Sequence, residues 1–312
     1  MAEPLVSIII PCHNAGPWVA AALDSALAQT WRRCETLLVD DGSTDESPAI
    51  VRTYEPRGVR VLRQPQRGSA AARNAGLSEA RGQYIQFLDA DDLLAPGKIA
   101  HQVTVLRNAP ARTLCSGRWA RFADSPEDAR WHEEPNFRDL SGVEFLQLFY
   151  ETGAMMQPAA WLAPRELLDQ AGPWDESLSL NDDGEYFARV MLRSSGIRFC
   201  RDALVFYRSA ARPSLSRRRD PAAMRSLFRS AESTISHLLA ADRSARTVAA
   251  AAYGWKWMAF ELYPEAPVLS RLASQRSREL GGSDRPFPAG RRFHRLSRLI
   301  GWRLAKRLRR SP

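Results

Sequence analysis

The chain has 312 residues, 45% hydrophobic and 25% charged, a composition that is typical of a folded protein and excludes an intrinsically disordered one. Its four cysteines are far apart and form no C-x-x-C pair, which argues against a disulfide framework and against a zinc site. The net charge of +9 is local, because ten of the 44 basic residues and none of the 35 acids lie from Arg285 onward.

The first residues, MAEPLVSIIIPCHNAG, carry an acid where a secretion signal carries a basic residue, and their apolar run ends at Pro11. We therefore interpret them as the first strand of a folded domain. No stretch approaches the roughly 18 uninterrupted apolar residues of a membrane-spanning helix. Together with the cysteine pattern, these features predict a cytoplasmic protein, soluble or peripheral at the inner face of the cell membrane.

Between residues 5 and 92, short runs rich in Val, Ile and Leu alternate with polar turns and longer helix-like stretches. This alternation predicts parallel strands joined by helices. The predicted strands are 5–11, 35–40, 59–63 and 83–89, and the predicted helices lie near 17–29, 45–55 and 69–80. The continuous apolar character of strands one, two and four is typical of a sheet that is covered on both faces.

The rest of the chain predicts mixed structure followed by helices. Residues 96–117 are typical of a helix and a strand, 118–137 of a loop or hairpin, and 158–164 of a further apolar segment. The predicted elements after these are helices at 142–150, 165–171 and about 183–195, and a strand at 197–208. From about residue 213 the pattern is helical, so we predict one domain over 1–212 and a helical region over 213–312.

Polar residues follow three of the strands, in the sequences PCHN, DDGS and DADD. In a parallel sheet, ligands bind beyond the carboxyl ends of the strands, so we expect these clusters to lie at one edge. Asp41, at the tip of the second strand, can accept an N–H from a ligand, such as N3–H of a pyrimidine base. A tight turn and a capped helix would explain DDGS equally well.

The sequence YIQFLDADDLL ends an apolar strand in three carboxylates. The spacing of Asp89 and Asp91 allows both to approach one ligand, and oxygen ligands are what Mg²⁺ and Mn²⁺ prefer. A divalent cation would also allow an acidic pocket to hold a diphosphate. The alternative is a simple turn, and for Asp92 we expect the role of a helix cap.

Another pair of acids, Asp182 and Asp183, precedes the predicted helix at 183–195. Acids at this position commonly cap a helix. A carboxylate that starts a helix and also faces a pocket can instead accept a proton from an alcohol, as a general base.

Four segments occur in a characteristic order: VSIIIPCHNAGPWVAAALDSALAQTW, ETLLVDDGSTDES, GSAAARNAGLSEARGQYIQFLDADDLLAPGKI and AGPWDESLSLNDDGEYFARV. Together they resemble family 2 of the inverting nucleotide-sugar glycosyltransferases, over about residues 4–208. The resemblance implies an α/β class protein with a GT-A fold, a Rossmann-like mixed sheet flanked by helices, followed here by the mainly α-helical C-terminal region. It also implies a nucleotide-sugar donor, expected to be a UDP-sugar, and a hydroxyl of a glycan or lipid-linked acceptor.

The same resemblance implies roles for single residues. The positions expected to bind the nucleotide sugar are Pro11, His13, Asn14, Asp41, Arg73, Asp89 and Ala90. Asp91 and Asp89 are the expected ligands of Mn²⁺ or Mg²⁺, with Asp91 the more direct ligand, and Asp183 falls where the family has its catalytic base. Two positions depart from the family pattern: His13 stands where a Tyr is common, and Asp182 where a Glu is common.

Two alternatives remain at this point. A haloacid-dehalogenase-like phosphatase also places D-x-D after an apolar strand, although there the motif lies near the start of the chain and a Gly-Thr pair follows it. A catalytically inactive transferase-like domain, kept for binding, is the second alternative. Such a domain would not need to keep the acidic residues of the site, which this chain has.

The end of the chain, GRRFHRLSRLIGWRLAKRLRR, places Phe293, Leu296, Ile300, Leu304 and Leu308 at helical spacing among many arginines. One interpretation is a terminal helix that packs on the body by this apolar stripe. The other is an amphipathic helix, within 291–310, that lies on an anionic membrane surface. No nucleic-acid partner is expected, because the tail carries no recognised binding motif.

Overall fold

The protein is described here by a computed structural model that covers residues 3–209 and 218–308. The strands of this part of the chain are β1 (Val6–Cys12), β2 (Cys34–Asp41), β3 (Val59–Gln64), β4 (Tyr84–Phe87), β5 (Leu93–Leu94), β6 (Leu114–Phe122), β7 (Ala163–Pro164) and β8 (Ile197–Arg208). The four strands predicted before residue 92 correspond to β1 to β4.

The helices of the first part of the chain follow the predicted order. They are α1 (Gly16–Leu27), α2 (Ser47–Arg52), α3 (Ser69–Glu79), α4 (Lys98–Arg107), α5 (Gly142–Thr152), α6 (Arg165–Ala171) and α7 (Asp182–Arg193). After the gap come α8 (Pro221–Ala241), α9 (Ala245–Leu262), α10 (Pro267–Glu279), α11 (Arg291–Ile300) and α12 (Trp302–Leu308).

The main sheet has the strand order β3-β2-β1-β4-β7. β1, β2, β3 and β4 are parallel, and β7 adds an antiparallel edge, so the sheet is mixed as predicted. Ile8 and Ile10 of β1 pack on the side of α1 and α4, while Ile9 packs on the side of α3, α5, α6 and α7. Both faces are therefore buried, which explains the continuous apolar sequence of the strands.

A second sheet has the order β5-β8-β6. β6 extends to Phe122 and pairs in parallel with β8, so the prediction of a loop or hairpin from residue 118 was wrong for 118–122. Trp119 of this strand is buried and lies edge-on to His132 and Tyr207. Along β6 only Arg121 is exposed and Arg118 is partly exposed, so this strand is covered on both faces over most of its length.

The C-terminal helices pack directly on the first part of the chain: α8 contacts α7, and α9 contacts α5. One hydrophobic cluster includes residues of α5 and α7 as well as Met224 of α8 and Trp255 of α9. The predicted domain boundary at 212/213 lies outside the described residues and stays a prediction.

The basic tail is not one continuous helix. Gly301 has a φ of +77°, in the left-handed region that glycine favours, and it separates α11 from α12. Phe293 is buried and Leu296 is partly buried against the body, whereas Ile300, Leu304 and Leu308 are exposed. The predicted stripe is therefore divided: its first part packs on the body, and its second part faces solvent. Residues 309–310 of the predicted membrane segment lie outside the described residues.

Between residues 3 and 308, leaving out 210–217, no helix combines the length and the apolar character needed to cross a membrane. The four cysteines, all within this part of the chain, are free.

Lys98, at the start of α4, is buried in the core. Its ammonium group donates to Oε1 of Gln86 and, at 3.3 Å, to the carbonyl oxygen of Trp161. Burial lowers the pKa of this amine from its ordinary 10.5 to about 7.

This buried amine predicts a pH-dependent stability. Between about pH 7 and pH 10.5 the unfolded chain keeps the Lys98 proton and the folded chain loses it, so the free energy of unfolding rises with pH. The slope is at most about 1.4 kcal/mol per pH unit. Cysteine thiols of the unfolded chain begin to titrate in the same range, but they affect the wild type and Lys98→Met equally. The free energy of unfolding of the wild type relative to that of Lys98→Met should therefore rise from pH 7 to about 8.5 in chemical denaturation. Parallel curves for the two proteins would mean that Lys98 keeps its ordinary pKa.

Candidate active site

The strand register brings the three predicted polar clusters together. β1 pairs Cys12 with Asp40, and β2 pairs Asp41 with Gln64. The backbone N–H of Leu88, just past β4, donates to the carbonyl oxygen of Ile9 at 3.0 Å. PCHN, DDGS and DADD therefore lie at the carboxyl edge of three adjacent strands, as expected for a parallel sheet.

Asp41 is buried at this edge, and its carboxylate accepts three hydrogen bonds. Gln64 Nε2 and the backbone N–H of Arg67 donate to Oδ1 at 2.7 and 2.8 Å, and the N–H of Gly68 donates to Oδ2 at 2.8 Å. Gly68 has a φ of +98°, a conformation that places this N–H at the start of α3. A carboxylate has about four acceptor positions, so Oδ2 can still accept a hydrogen bond.

His13 follows β1 and lies next to Asp41. Its Nδ1 is 2.8 Å from the carbonyl oxygen of Asp41, which can only accept, so Nδ1 carries the hydrogen. Its Nε2 then accepts from the side-chain amides of Gln66 and Asn14, at 3.1 and 3.3 Å. These contacts give the imidazole ring a defined orientation at the carboxyl edge of the sheet.

Asn14 joins the loops that follow β1 and β2. Its backbone is left-handed, with a φ of 49°, and its Oδ1 accepts from the N–H groups of Thr44 and Asp45 at 2.8 and 3.3 Å. Its own N–H donates to Ser43 Oγ at 3.0 Å. The side chain therefore holds the DDGS turn in place, and its predicted contact with a ligand stays a prediction, as does that of Pro11.

Arg73 of α3 lies at the centre of the site, and only 5% of it is exposed. Its Nη2 donates to Asp89 Oδ1 at 2.7 Å, and its Nη1 donates to Asp182 Oδ2 at 2.9 Å. The guanidinium also stacks over Trp174, 4.6 Å from the ring centroid. Burial alone would lower the pKa of Arg73, but Asp89 and Asp182 together raise it above its ordinary value.

Asp183 lies in the first turn of α7, beside this ion-pair network. Burial, and after it the negative charge of Asp182, raises the pKa of Asp183 to about 6, against the opposite effect of Arg73. The residue before the helix, Asn181, has a left-handed φ of 59° and donates from Nδ2 to Ser230 Oγ of α8 at 2.6 Å. The carboxylate that we predicted as a base is therefore positioned by the C-terminal helices.

The DADD segment leads into β5 and not into a helix, so the predicted helix-cap role of Asp92 was wrong. Asp92 is buried, and its Oδ1 accepts from the backbone N–H of Arg208 at 2.8 Å. The Arg208 side chain donates from Nε to the carbonyl oxygen of Asp91 at 2.8 Å. Burial, with the negative charges of Asp91 and Asp89, raises the pKa of Asp92 well above its ordinary value.

The same segment provides a test of the predicted metal site. Asp89 and Asp91 place carboxylates on either side of the buried Ala90, and Asp92 Oδ2 is a buried oxygen without a hydrogen-bond partner. No group of three or more His, Cys, Asp or Glu side chains in the described ranges is arranged to enclose a metal ion. The donor set fits a hard cation that takes one or two carboxylates and completes its shell with water and phosphate.

A family model described as "Glycosyl transferase family 2" matches residues 7–170, more than half of the chain. The chain belongs to glycosyl transferase family 2. The matched segment contains all the predicted positions of the site except Asp183. Family membership also removes the basis for the phosphatase alternative.

Relatives in this family cover about two thirds of the chain. An uncharacterized glycosyltransferase of Rickettsia prowazekii is 30% identical over 203 residues, which cover 65% of this chain and 63% of that protein. EpsJ of Bacillus subtilis, also an uncharacterized glycosyltransferase, is 29% identical over 214 residues, 66% of this chain and 61% of that protein. The match therefore spans less than two thirds of the length of either relative.

Solved structures resemble the chain over nearly its whole length. The structure of Staphylococcus aureus TarS 1-349 in complex with UDP-GlcNAc has a TM-score of 0.70 and 16% identity, and the match covers 98% of this chain and 91% of that one. The mannosyltransferase PcManGT of Pyrobaculum calidifontis, in complex with GDP-Man and Mn²⁺, has a TM-score of 0.57, 18% identity and coverages of 99% and 84%. The predicted GT-A fold is confirmed.

Several residues that contact the candidate site were not predicted from the sequence. Gln64 ends β3 and Gln66 follows it at the same sheet edge, and the rule that selected the other strand ends could have found both residues. Arg208 contacts the DADD segment from the end of β8, and Ser230 contacts Asn181 from α8. Neither of these last two has a sequence signal, because each lies tens of residues from its partner.

The buried position of Arg73 predicts its effect on stability. Arg73→Met leaves Asp89 and Asp182 without their shared cation, and we expect the free energy of unfolding to fall by about 3 kcal/mol or more. Arg60 is a matched control, because it also bridges two carboxylates, Glu35 and Glu79, but its side chain is 33% exposed. Arg60→Met should cost less than about 1 kcal/mol in the same urea titration. Equal losses in the two variants would contradict the central role of Arg73.

Proposed function

We propose that the protein is an inverting glycosyltransferase that moves a sugar from a UDP-sugar to a hydroxyl group of a glycan or lipid-linked acceptor. The observation that carries this proposal is that the segments with Asp41, Asp89 and Asp91 end at one sheet edge, and that the buried Arg73 joins Asp89 to Asp182, next to Asp183 of α7. Each carboxylate has a different environment, which supports a different role for each.

Asp41 is the proposed receptor for the base. Its Oδ2 has an acceptor position left, and a uracil ring offers N3–H as the donor. Pro11 is partly exposed near the end of β1, and the His13 ring contacts the backbone carbonyl oxygen of Asp41. TarS has been solved with UDP and with UDP-GlcNAc, which supports uridine, whereas PcManGT has been solved with GDP-Man. Cytosine has no hydrogen at N3, so CDP should bind poorly.

Asp91 and Asp89 would hold Mn²⁺ or Mg²⁺, and the PcManGT complex with Mn²⁺ supports a divalent cation. The bound cation would supply positive charge where the leaving nucleoside diphosphate develops negative charge. The chain itself contributes Arg73, whose guanidinium donates to Asp89 and holds that carboxylate in a fixed orientation.

Asp183 is the proposed general base. A carboxylate with a pKa of about 6 is ionised at neutral pH, yet it is a stronger base than an ordinary aspartate. In the proposed step it removes the proton of the acceptor hydroxyl while the oxygen attacks the anomeric carbon. The bond to the diphosphate then breaks on the opposite face, so the configuration of the sugar is inverted.

An inactive binding domain is the second candidate function. Against it stands the raised pKa of Asp183, since a domain kept only for binding gains nothing from an acid that is costly to ionise. The acceptor is not identified by these contacts, and the segment after residue 118, with the partly exposed Trp131, is our candidate for the surface that meets it.

The proposed nucleotide site predicts selective binding. Isothermal titration should show that UDP binds in the presence of Mn²⁺, that EDTA weakens binding at least about tenfold, and that CDP binds at least about tenfold more weakly. GDP is the informative competitor, because guanine also offers an N–H donor to a carboxylate. Tighter binding of GDP than UDP would overturn the uridine assignment, and metal-independent binding would overturn the role of Asp91.

The proposed base predicts a selective loss of turnover. With the donor found in a panel of nucleotide sugars, Asp183→Asn should keep the affinity for the nucleoside diphosphate and lower the transfer rate by about 10² to 10⁴. In the wild type the rate should fall as the pH drops through about 6, because the protonated carboxyl cannot accept the acceptor proton.

Asp220→Asn is the matched control for this measurement. Asp220 also precedes a helix, but there it caps α8 by accepting from the N–H of Ala223 at 3.0 Å. Asparagine caps a helix about as well as aspartate, so this variant should transfer at the wild-type rate. If Asp183→Asn retains transfer, another group is the base.

A further inference from the structure

The exposed large hydrophobic side chains of the described residues are concentrated in the tail. Five such side chains are exposed, and four of them lie within ten residues. Their exposed fractions are 83% for Leu299, 37% for Ile300, 47% for Leu304 and 53% for Leu308. We call these four residues the tail surface. Single exposed apolar residues are common in folded proteins, but a contiguous group of them marks an interaction site.

The tail surface is not exposed for lack of packing, because the opposite side of both helices is fixed to the body. Phe293 of α11 and Ala305 of α12 are buried against Phe260 of α9. Trp302 lies against Tyr263, with ring centroids 5.5 Å apart, and the buried ammonium group of Lys306 donates to the carbonyl oxygen of Phe260. The body therefore holds the tail surface in a fixed orientation, facing outward.

Positive charge surrounds the tail surface. Arg298 and Arg307 are exposed on the same two helices, and no acidic residue follows Asp284 in the sequence. A cavity of about 310 Å³ opens between Tyr263 and the Gly301 break, and its lining includes Ile300, Leu304, Arg303 and Arg307. Apolar and cationic groups thus share one opening, and none of the residues that line it is acidic.

We propose that the tail surface and its arginines bind the surface of a phospholipid bilayer with anionic headgroups. The leucines and isoleucine would enter the boundary between headgroups and acyl chains, while Arg303 and Arg307 pair with lipid phosphates at the mouth of the cavity. Charge complementarity selects this partner, because the only charges on the tail helices are cationic. The inference depends on the tail alone and goes beyond the proposed transfer of a sugar.

Two other partners, a nucleic acid and a second copy of this chain, fit the tail surface less well. A nucleic acid would use the arginines but would leave the four apolar side chains exposed to water. A second copy of this chain would have to approach an equally cationic surface, since the contact of a two-fold dimer is made by the same patch on both molecules. The bilayer is the partner that satisfies both the apolar and the cationic groups.

Vesicle flotation with the full chain tests the proposal. We expect flotation with vesicles of phosphatidylglycerol and phosphatidylcholine in equal parts, and at least about tenfold weaker partitioning to phosphatidylcholine alone. Arg298→Glu/Arg307→Glu should weaken partitioning to the anionic vesicles at least about tenfold, and Leu304→Ser/Leu308→Ser should also weaken it. All four positions are exposed, so these variants should keep the wild-type thermal unfolding midpoint.

Arg32→Glu/Arg33→Glu is the matched control, because it changes the net charge by the same amount at two exposed residues before β2. This control variant should float like the wild type. If both charge variants lose vesicle binding equally, the effect is one of net charge, and the proposed binding site in the tail is wrong. Flotation that is equal on neutral and anionic vesicles, or absent on both, also overturns the proposal. So does tighter binding to single-stranded nucleic acid than to the anionic vesicles at the same salt concentration.

Titration of inorganic phosphate separates lipid binding from a site for free phosphate. At constant ionic strength, phosphate should displace the protein from anionic vesicles no better than chloride does. If phosphate binds with high affinity and the protein does not float, the cavity is a phosphate site and the bilayer proposal is wrong. UDP binding, measured on the same variants, should be unchanged, so a failure of this proposal is distinguishable from a failure of the proposed transferase function.

Discussion

The site depends on one buried cation. Arg73 has almost no contact with water, and its guanidinium is shared by Asp89 at the end of β4 and Asp182 at the start of α7. A buried charge is tolerated only when it is paired and hydrogen-bonded, so the two carboxylates and the arginine must be placed together. The ion pair thus fixes the distance between the D-x-D strand end and the helix that carries Asp183. The positive charge of Arg73 also offsets part of the repulsion among Asp89, Asp182 and Asp183.

The sequence was informative where local pattern and tertiary structure agree. β1, β2 and β4 are apolar runs because both faces of the sheet are covered, and in a parallel sheet their polar ends had to meet at one edge. The sequence was uninformative where a residue far away in the chain determines the role of a side chain. Aspartate is a residue type that commonly caps a helix. The carboxylate of Asp92 instead accepts a hydrogen bond from the backbone N–H of Arg208, and a short strand follows. The stripe in the tail had helical spacing throughout, but Gly301 ends α11, and the residues of the stripe from Ile300 onward are exposed while α12 packs on the body through other side chains.

The most consequential contacts that the sequence did not reveal come from the C-terminal helices. Ser226 of α8 accepts from the N–H of Leu180 at 2.9 Å, and Ser230 holds Asn181 in its left-handed conformation. Serines in an amphipathic helix carry no signal of such a role, because their partners lie more than forty residues earlier. These bonds set the first turn of α7. The helical region therefore contributes to the geometry of the candidate base, although it lies beyond the segment matched by the family model.

The charges of the protein are separated by position. Acids converge on the sheet edge, where a cation and a diphosphate can neutralise each other, and the excess of arginine lies in the tail. If both charge groups were on one surface, the arginines would compete for the carboxylates and close the pocket. The fold avoids this by giving the sheet edge the buried Arg73 with two fixed partners, and by anchoring the tail through aromatic contacts around Phe260. Arg298 and Arg307 are exposed on the tail helices, whereas Arg73 is held at the site by its two carboxylates.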